Sequence, residues 1–131
     1  MKPYPPPAAP GNWWPSAFEL AFYGYRNSPY FHDPDPSRRN VFYSDTYRHG
    51  QPGKEDHPTQ KPLKLMRRLI RAIVPPGGIV LDPFAGSGTT AVAAIQEGRR
   101  CILIEREPAY AEIARRRCRD AMGSGLLAGL A

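Results

Sequence analysis

The sequence predicts an α/β chain built on a parallel strand–helix–strand unit, with an irregular region in front of it. Three observations predict it. Beyond residue 61, short apolar runs alternate with stretches of helical spacing. A glycine-rich loop joins the first apolar run to the helix that follows it. Upstream, the chain is dominated by residues that break regular structure: twelve of its 16 prolines lie in residues 1–62. Length fits this picture, since 131 residues make one small domain with a modest core.

Taken in order, residues 1–16 are rich in Pro, Gly and Ala and are expected to form an extended arm, with Trp13-Trp14 as its one strong apolar feature. Phe18 to Tyr25 is aromatic and bounded by turn formers, which makes it a strand candidate. Residues 26–60 hold Pro, Asp, Asn, Arg and Gly, as a long loop does, with a possible short strand over Arg39 to Tyr43. From Pro62 to Val74 the apolar residues Leu63, Met66, Leu69, Ile70, Ile73 and Val74 fall at helical spacing. Lys64, Arg67, Arg68 and Arg71 lie between them and give the helix a basic face. Pro62 suits the first turn, and Pro75-Pro76-Gly77-Gly78 stops the helix. Ile79-Val80-Leu81 is a short buried strand, Thr89 to Glu97 an alanine-rich helix capped by Gly98, and Cys101 to Ile104 a second strand. Pro108 to Met122 is the last helix, with Tyr110, Ile113 and Ala114 on one face and Gly123 as its expected end. The tail, 123–131, is small and apolar.

Composition excludes a collagen, a coiled coil and a wholly disordered chain. No run of eighteen apolar residues exists, so no transmembrane helix is expected. Met1-Lys2-Pro3-Tyr4-Pro5 shows no signal-peptide core, and a cytoplasmic protein is expected. Cys101 and Cys118 have no His or Cys at ligand spacing, so free thiols and no metal are expected. The net charge of +6 arises entirely in residues 57–131, which carry twelve basic and six acidic side chains. Such an excess makes a polyanionic partner plausible, and a merely basic surface is the plainer alternative.

The sharpest motif is Leu81-Asp82-Pro83-Phe84-Ala85-Gly86-Ser87-Gly88-Thr89-Thr90, between the first strand and its helix. Gly86 and Gly88 permit a tight turn and a close backbone approach to a ligand. A loop at the carboxyl end of a parallel strand, leading into a helix N-terminus, is where open α/β sheets bind nucleotides. Glu105 follows Asp82 by 23 residues, at the end of the second strand, where an acidic side chain can hold a ribose diol. A P-loop is excluded, because no lysine follows Gly88. Ala91 completes the dinucleotide fingerprint formally, but the carboxylate of Asp82 at the loop entrance repels a pyrophosphate. It suits a ligand with a cationic amino group and no phosphate, such as S-adenosylmethionine.

A second motif, His57-Pro58-Thr59-Gln60-Lys61-Pro62, stands just before the basic helix. Followed by Asp-Pro-Phe-Ala-Gly-Ser-Gly-Thr-Thr, it resembles the DNA amino-methyltransferases of the permuted beta type, in which the catalytic half precedes the cofactor-binding half. The resemblance covers roughly residues 17–120 and is dense over 57–118. It implies a Rossmann-like methyltransferase sheet, of which this chain holds part, and methyl transfer from S-adenosylmethionine to adenine N6 or cytosine N4 in DNA. It further implies that Asp82, Phe84, Gly86, Gly88 and Thr89 line the cofactor pocket, that Thr59 and Lys61 meet the methionine end, and that Glu105 takes the ribose hydroxyls. Simple helix initiation is the alternative for Thr59 and Pro62, a solvated side chain for Lys61, and core packing for Phe84.

The family's catalytic tetrapeptide, Asp/Asn/Ser-Pro-Pro-Tyr/Phe, supplies acceptors for the target amino group, whose base is flipped out of the duplex. It is absent from the sequence: Tyr4-Pro5-Pro6-Pro7, Asn27-Ser28-Pro29-Tyr30 and Asp33-Pro34-Asp35-Pro36 each fail the pattern. No catalytic residue is therefore assigned. A truncated or split enzyme that is inactive alone is expected, and the alternative is a non-catalytic module that complements a partner chain. An RNA methyltransferase is a third reading. The expected organisation is an arm over 1–16, a strand and target-recognition-like loop over 17–56, an S-adenosylmethionine-binding lobe over 57–122 and a tail over 123–131. Within the loop, Arg38, Arg39, Arg48 and Lys54, with Tyr43 and Tyr47, suit DNA phosphate and base contacts. Arg115, Arg116, Arg117 and Arg119 read as a solvated helix face.

Overall fold

The computed structural model describes residues 19–33, 40–44 and 60–128, the last five of these by their helical backbone alone. The proline-rich arm, Thr59, Arg38, Arg39, Arg48, Lys54 and residues 129–131 lie outside the described residues.

Five elements follow in the expected order: α1 (Leu63–Ile73), β1 (Ile79–Asp82), α2 (Thr89–Gln96), β2 (Arg100–Leu103) and α3 (Pro108–Ala128). Pro62 is extended and lends its carbonyl to the Met66 N–H at 3.1 Å, so the helix starts without needing a proline donor. At the other end Val74 is forced into the extended region (φ −120°, ψ 121°) by the proline that follows it, and α1 stops there. Gly98 adopts φ +69°, and its N–H and that of Arg99 close the carbonyls of Ile95 and Ala94.

β1 and β2 are parallel, with Ile79 opposite Arg100 and Asp82 opposite Leu103. α2 connects them and forms the centre of the lobe. Ala91, Ala93 and Ala94 are fully enclosed and Val92 nearly so, because α1, α3 and the sheet all pack on this one helix. Small side chains let the neighbours come close, and an all-round apolar helix belongs inside. Ile70 of α1 joins Ala93 and Ala94 at the centre, with Val80 and Cys101 beneath them on the inner face of the sheet. Residues alternate across a strand, so Ile79, Leu81 and Ile102 point the other way and remain more than half exposed.

Polar contacts fix α1 as firmly as the apolar ones. Arg71 grips Glu97 through two hydrogen bonds of 2.8 Å and Arg67 adds a third of 2.7 Å. The Arg71 hydrogen bond, reinforced by Arg67, holds the Glu97 carboxyl down at about 2 although burial opposes this. Arg68 forks onto Asp33 and lies 4.6 Å over the ring of Phe42. Much of the basic face expected of α1 is thus spent on internal ion pairs.

Three expectations are corrected. Ile79-Val80-Leu81 is a strand but not a buried one, since only Val80 faces the core while Ile79 and Leu81 are 53% and 61% exposed. Residues 19–25 of the strand candidate, like residues 40–44, form no strand. A strand exists through hydrogen bonds to a neighbour, and Phe22, 98% exposed, shows that these residues have no sheet to lie against. Nor does Gly123 end α3, which runs on to Ala128. A glycine terminates a helix when it turns left-handed, and Gly123 does not. No helix among the described residues is long and apolar enough to cross a membrane.

Candidate cofactor site

A cleft of about 310 Å³ opens at the carboxyl ends of β1 and β2. β1 delivers Asp82 to its floor and β2 leads directly into Glu105. The loop 83–88 and the first turn of α2 form one wall, with Gly86, Ser87, Thr89 and Thr90 along it and Phe84 at its rim. Gln60 and Lys61, just before α1, close the opposite side.

Backbone hydrogen bonds shape the loop. The Ala85 N–H reaches the Ile104 carbonyl at 3.0 Å, and the Gly88 N–H folds back on Ala85 at 2.8 Å. Glu105 ties it to the second strand: one carboxylate oxygen accepts the Gly86 N–H at 2.6 Å and the other the Glu107 N–H at 2.9 Å. Asp82 accepts the Phe84 N–H at 3.0 Å, which turns the chain sharply out of β1. The turn throws Phe84 outward, where its ring is 89% exposed at the cleft mouth, so core packing does not account for it.

Of the residues the sequence singled out, Lys61, Asp82, Phe84, Gly86, Thr89 and Glu105 all line this one cleft. Gly88 is not on its surface. It sits behind the wall at φ +77°, where an added Cβ would come within 2.7 Å of the Ala114 Cβ. Its missing side chain makes room for α3. Lys61 is held by Glu19 at 2.8 Å, in a pair about half exposed on both sides.

Sequence reasoning passed over Gln60, Ala85, Ser87, Thr90 and Tyr110, which also line the cleft. Gln60 and Ser87 are buried polar residues inside motifs that were read for their neighbours. Tyr110, the last aromatic of the chain and two residues into α3, stands out in the sequence only as one member of a helix face. Arg117 is a second omission. It does not join a solvated face, but donates to the Ser87 carbonyl at 2.6 Å. The two cysteines are free thiols whose pKa values are pushed up by burial, so they are poor nucleophiles.

What the cleft can do follows from its charges. Two carboxylates and one ammonium surround an open volume with an exposed ring at its mouth. That set accepts from hydroxyls and ammonium groups and repels phosphate. Its size lies at the lower end for small-molecule sites, which run from about 300 to 1,000 Å³.

Comparison with known proteins identifies the family. A family model described as DNA methylase, of the N6 and N4 type, matches residues 10–116. The DNA adenine methyltransferase YhdJ of Escherichia coli (strain K12) is 44% identical over 102 residues, covering 76% of this chain and 34% of that protein. The Type II methyltransferase M2.DpnII of Streptococcus pneumoniae is 54% identical over 61 residues, or 47% of this chain and 23% of that one. Among solved structures, the M1.HpyAVI–SAM complex superimposes with a TM-score of 0.57 at 36% identity, over 69% of this chain and 44% of that one. The chain thus spans about a third or less of the length of these curated relatives. With the family model matching most of its length, the chain belongs to the N6- and N4-type DNA methylase family.

Proposed function

We propose that this chain is the S-adenosylmethionine-binding part of a DNA N-methyltransferase acting on adenine N6 or cytosine N4. The observation that carries the proposal is the convergence of Lys61, Asp82, Phe84 and Glu105 on one cleft at the carboxyl ends of parallel strands. The donor set suits the cofactor part by part. Lys61 would meet the carboxylate of its methionine end, with Thr59 beside it in sequence, and Asp82 its ammonium. Glu105 would accept from the ribose hydroxyls while it holds Gly86. The exposed ring of Phe84 offers a stacking face to the adenine. When bound, the cofactor supplies a methyl group activated by its sulfonium. Gly86, Ser87 and Thr89 would shape the wall against it, with Gly88 acting from behind. Arg38, Arg39, Arg48 and Lys54 would contact DNA, and the methyltransferase relatives support that partner. Partly buried cysteines outside any disulfide suit a cytoplasmic protein.

The family's catalytic tetrapeptide is absent from the sequence, so the 131-residue chain is expected to bind cofactor and not to methylate DNA. A second reading, that this lobe works against a polypeptide supplying the catalytic half, is favoured by the exposed apolar sheet face of Ile79, Leu81 and Ile102.

Calorimetry with S-adenosylmethionine tests the placement. Wild type is expected to bind, and Asp82→Ala to lose at least about ten-fold in affinity, as fits loss of a charge-assisted contact. Equal binding by both proteins would remove the cleft as the cofactor site. Robust methyl transfer to DNA by the purified chain would show that acceptors exist outside the tetrapeptide.

A further inference from the structure

We infer that Arg117 is a positioning residue for the glycine loop, acting on the cofactor cleft from behind through Ser87 and Thr89. This inference rests on the reading of the cleft as a cofactor site.

Three acceptors converge on one nitrogen. The Arg117 Nη1 lies 2.6 Å from the Ser87 carbonyl oxygen, 3.1 Å from Ser87 Oγ and 3.2 Å from Thr89 Oγ1. Ser87 and Thr89 are both buried, at 3% and 5% exposure, and both line the cleft, which Arg117 itself does not touch. Between them sits Gly88, packed on Ala114 one turn before Arg117 on the same face of α3. Glu105 anchors the loop at Gly86 from the strand side. Arg117 and Ala114 anchor it from the helix side, so the inward residues are held between two fixed supports. The neighbouring arginines behave differently. Arg115 and Arg119 pair with Glu112 on the open surface, at 3.4 Å and with side chains more than 60% exposed.

Charge-assisted hydrogen bonds to buried acceptors are the strong ones. Without the guanidinium, the Ser87 carbonyl and two hydroxyls lose their shared donor, and the loop is free to rearrange. A shift of about 1 Å in a positioning element is enough to cost a bound ligand its alignment.

The test uses the full chain with Arg117→Met and Arg117→Lys, read by calorimetry with S-adenosylmethionine, by amide hydrogen exchange at Gly86 and Gly88 without ligand, and by thermal unfolding. Arg117→Met is expected to bind about ten-fold more weakly, with faster exchange at both amides and a retained unfolding transition. Arg117→Lys is expected to recover affinity to within about three-fold, because an ammonium also carries its hydrogens on one nitrogen. Should Arg117→Met fail to fold, the lysine variant decides alone: retained affinity supports the inference and a ten-fold loss overturns it. Wild-type affinity in Arg117→Met, or equal losses in both variants, overturns it as well. If wild type binds and Asp82→Ala does not, such a result removes Arg117 alone. If wild type and Asp82→Ala bind alike, the cofactor reading fails and takes this inference with it.

Discussion

Two regions of the molecule use their side chains in opposite ways. Residues 60–128 hold few aromatics and pack through alanine, with Ala91, Ala93, Ala94, Ala114 and Ala121 all buried. Residues 19–33 and 40–44 are rich in aromatics and leave most of them exposed: Phe22, Tyr25 and Tyr43 are 98%, 68% and 75% exposed. The second region is hung on the first by polar contacts along α1. The His32 N–H donates to the Ala72 carbonyl at 2.7 Å, and Arg68 holds Asp33. Hydrophobicity alone does not make a core. Apolar residues are buried where regular elements give them a common face, and the lobe has such elements while the aromatic segment has none.

The largest effect that separates the two regions comes from one substitution made in each. Gly88→Ala places a Cβ 2.7 Å from Ala114 in a left-handed backbone. The conformation costs about 1–2 kcal/mol and the overlap about 1–3 more, so a loss of roughly 2–5 kcal/mol in urea denaturation is expected. Gly24→Ala meets nothing within 4 Å and is expected to shift stability by less than about 0.5 kcal/mol. Similar losses at both sites would erase the contrast.

The next effect sharpens the role of charge inside the lobe. Glu97 is held at about 2, against an ordinary 4.5, first by the Arg71 hydrogen bond and then by Arg67. Its folded pKa lies below its unfolded one, so the unfolded chain binds the extra proton. The stabilisation is therefore present above pH 4.5 and is lost as pH falls toward 2. It amounts to roughly 3 kcal/mol at most. Glu97→Gln is expected to lower stability at pH 7 and to flatten the acid limb of the stability curve. A variant with an unchanged acid limb would mean that other carboxylates carry it.

These contrasts also show what the sequence could express. The lobe was legible because each element carries its own punctuation: Pro62 before α1, Pro75 after it, Gly98 after α2 and Pro108 opening α3. The cleft was legible through two motifs and Glu105, whose residues lie 21 to 44 positions beyond Lys61 and meet it only in the fold. That Gly88 stands behind the cleft wall is not legible, because a glycine that admits a ligand and a glycine that admits a helix look the same in sequence. Arg117 was missed because one arginine in a run of three shows no sign of which face it occupies. The pairing of Arg67 and Arg71 with Glu97 was invisible for a similar reason, since the partners are 30 and 26 residues apart. The strand expected near residue 20 failed because propensity describes a surface to pack on and does not supply one.

The smallest effect lies where the two regions meet at the cleft. Lys61 and Glu19 form an exposed pair at 2.8 Å, and such pairs contribute about 0–1 kcal/mol. Glu19→Gln is therefore expected to leave the unfolding temperature unchanged. Its consequence for ligand binding has a sign that discriminates. If Lys61 receives the cofactor carboxylate, Glu19 competes for the same ammonium. Removing its charge should then tighten S-adenosylmethionine binding by up to about three-fold, consistent with a contact this exposed. The gain should fade in 0.5 M salt, a test concentration at which exposed charges are strongly screened. A loss of affinity in Glu19→Gln would reverse the argument. Glu19 would then be holding Lys61 in place for the ligand, and the aromatic segment would belong to the site rather than lie beside it.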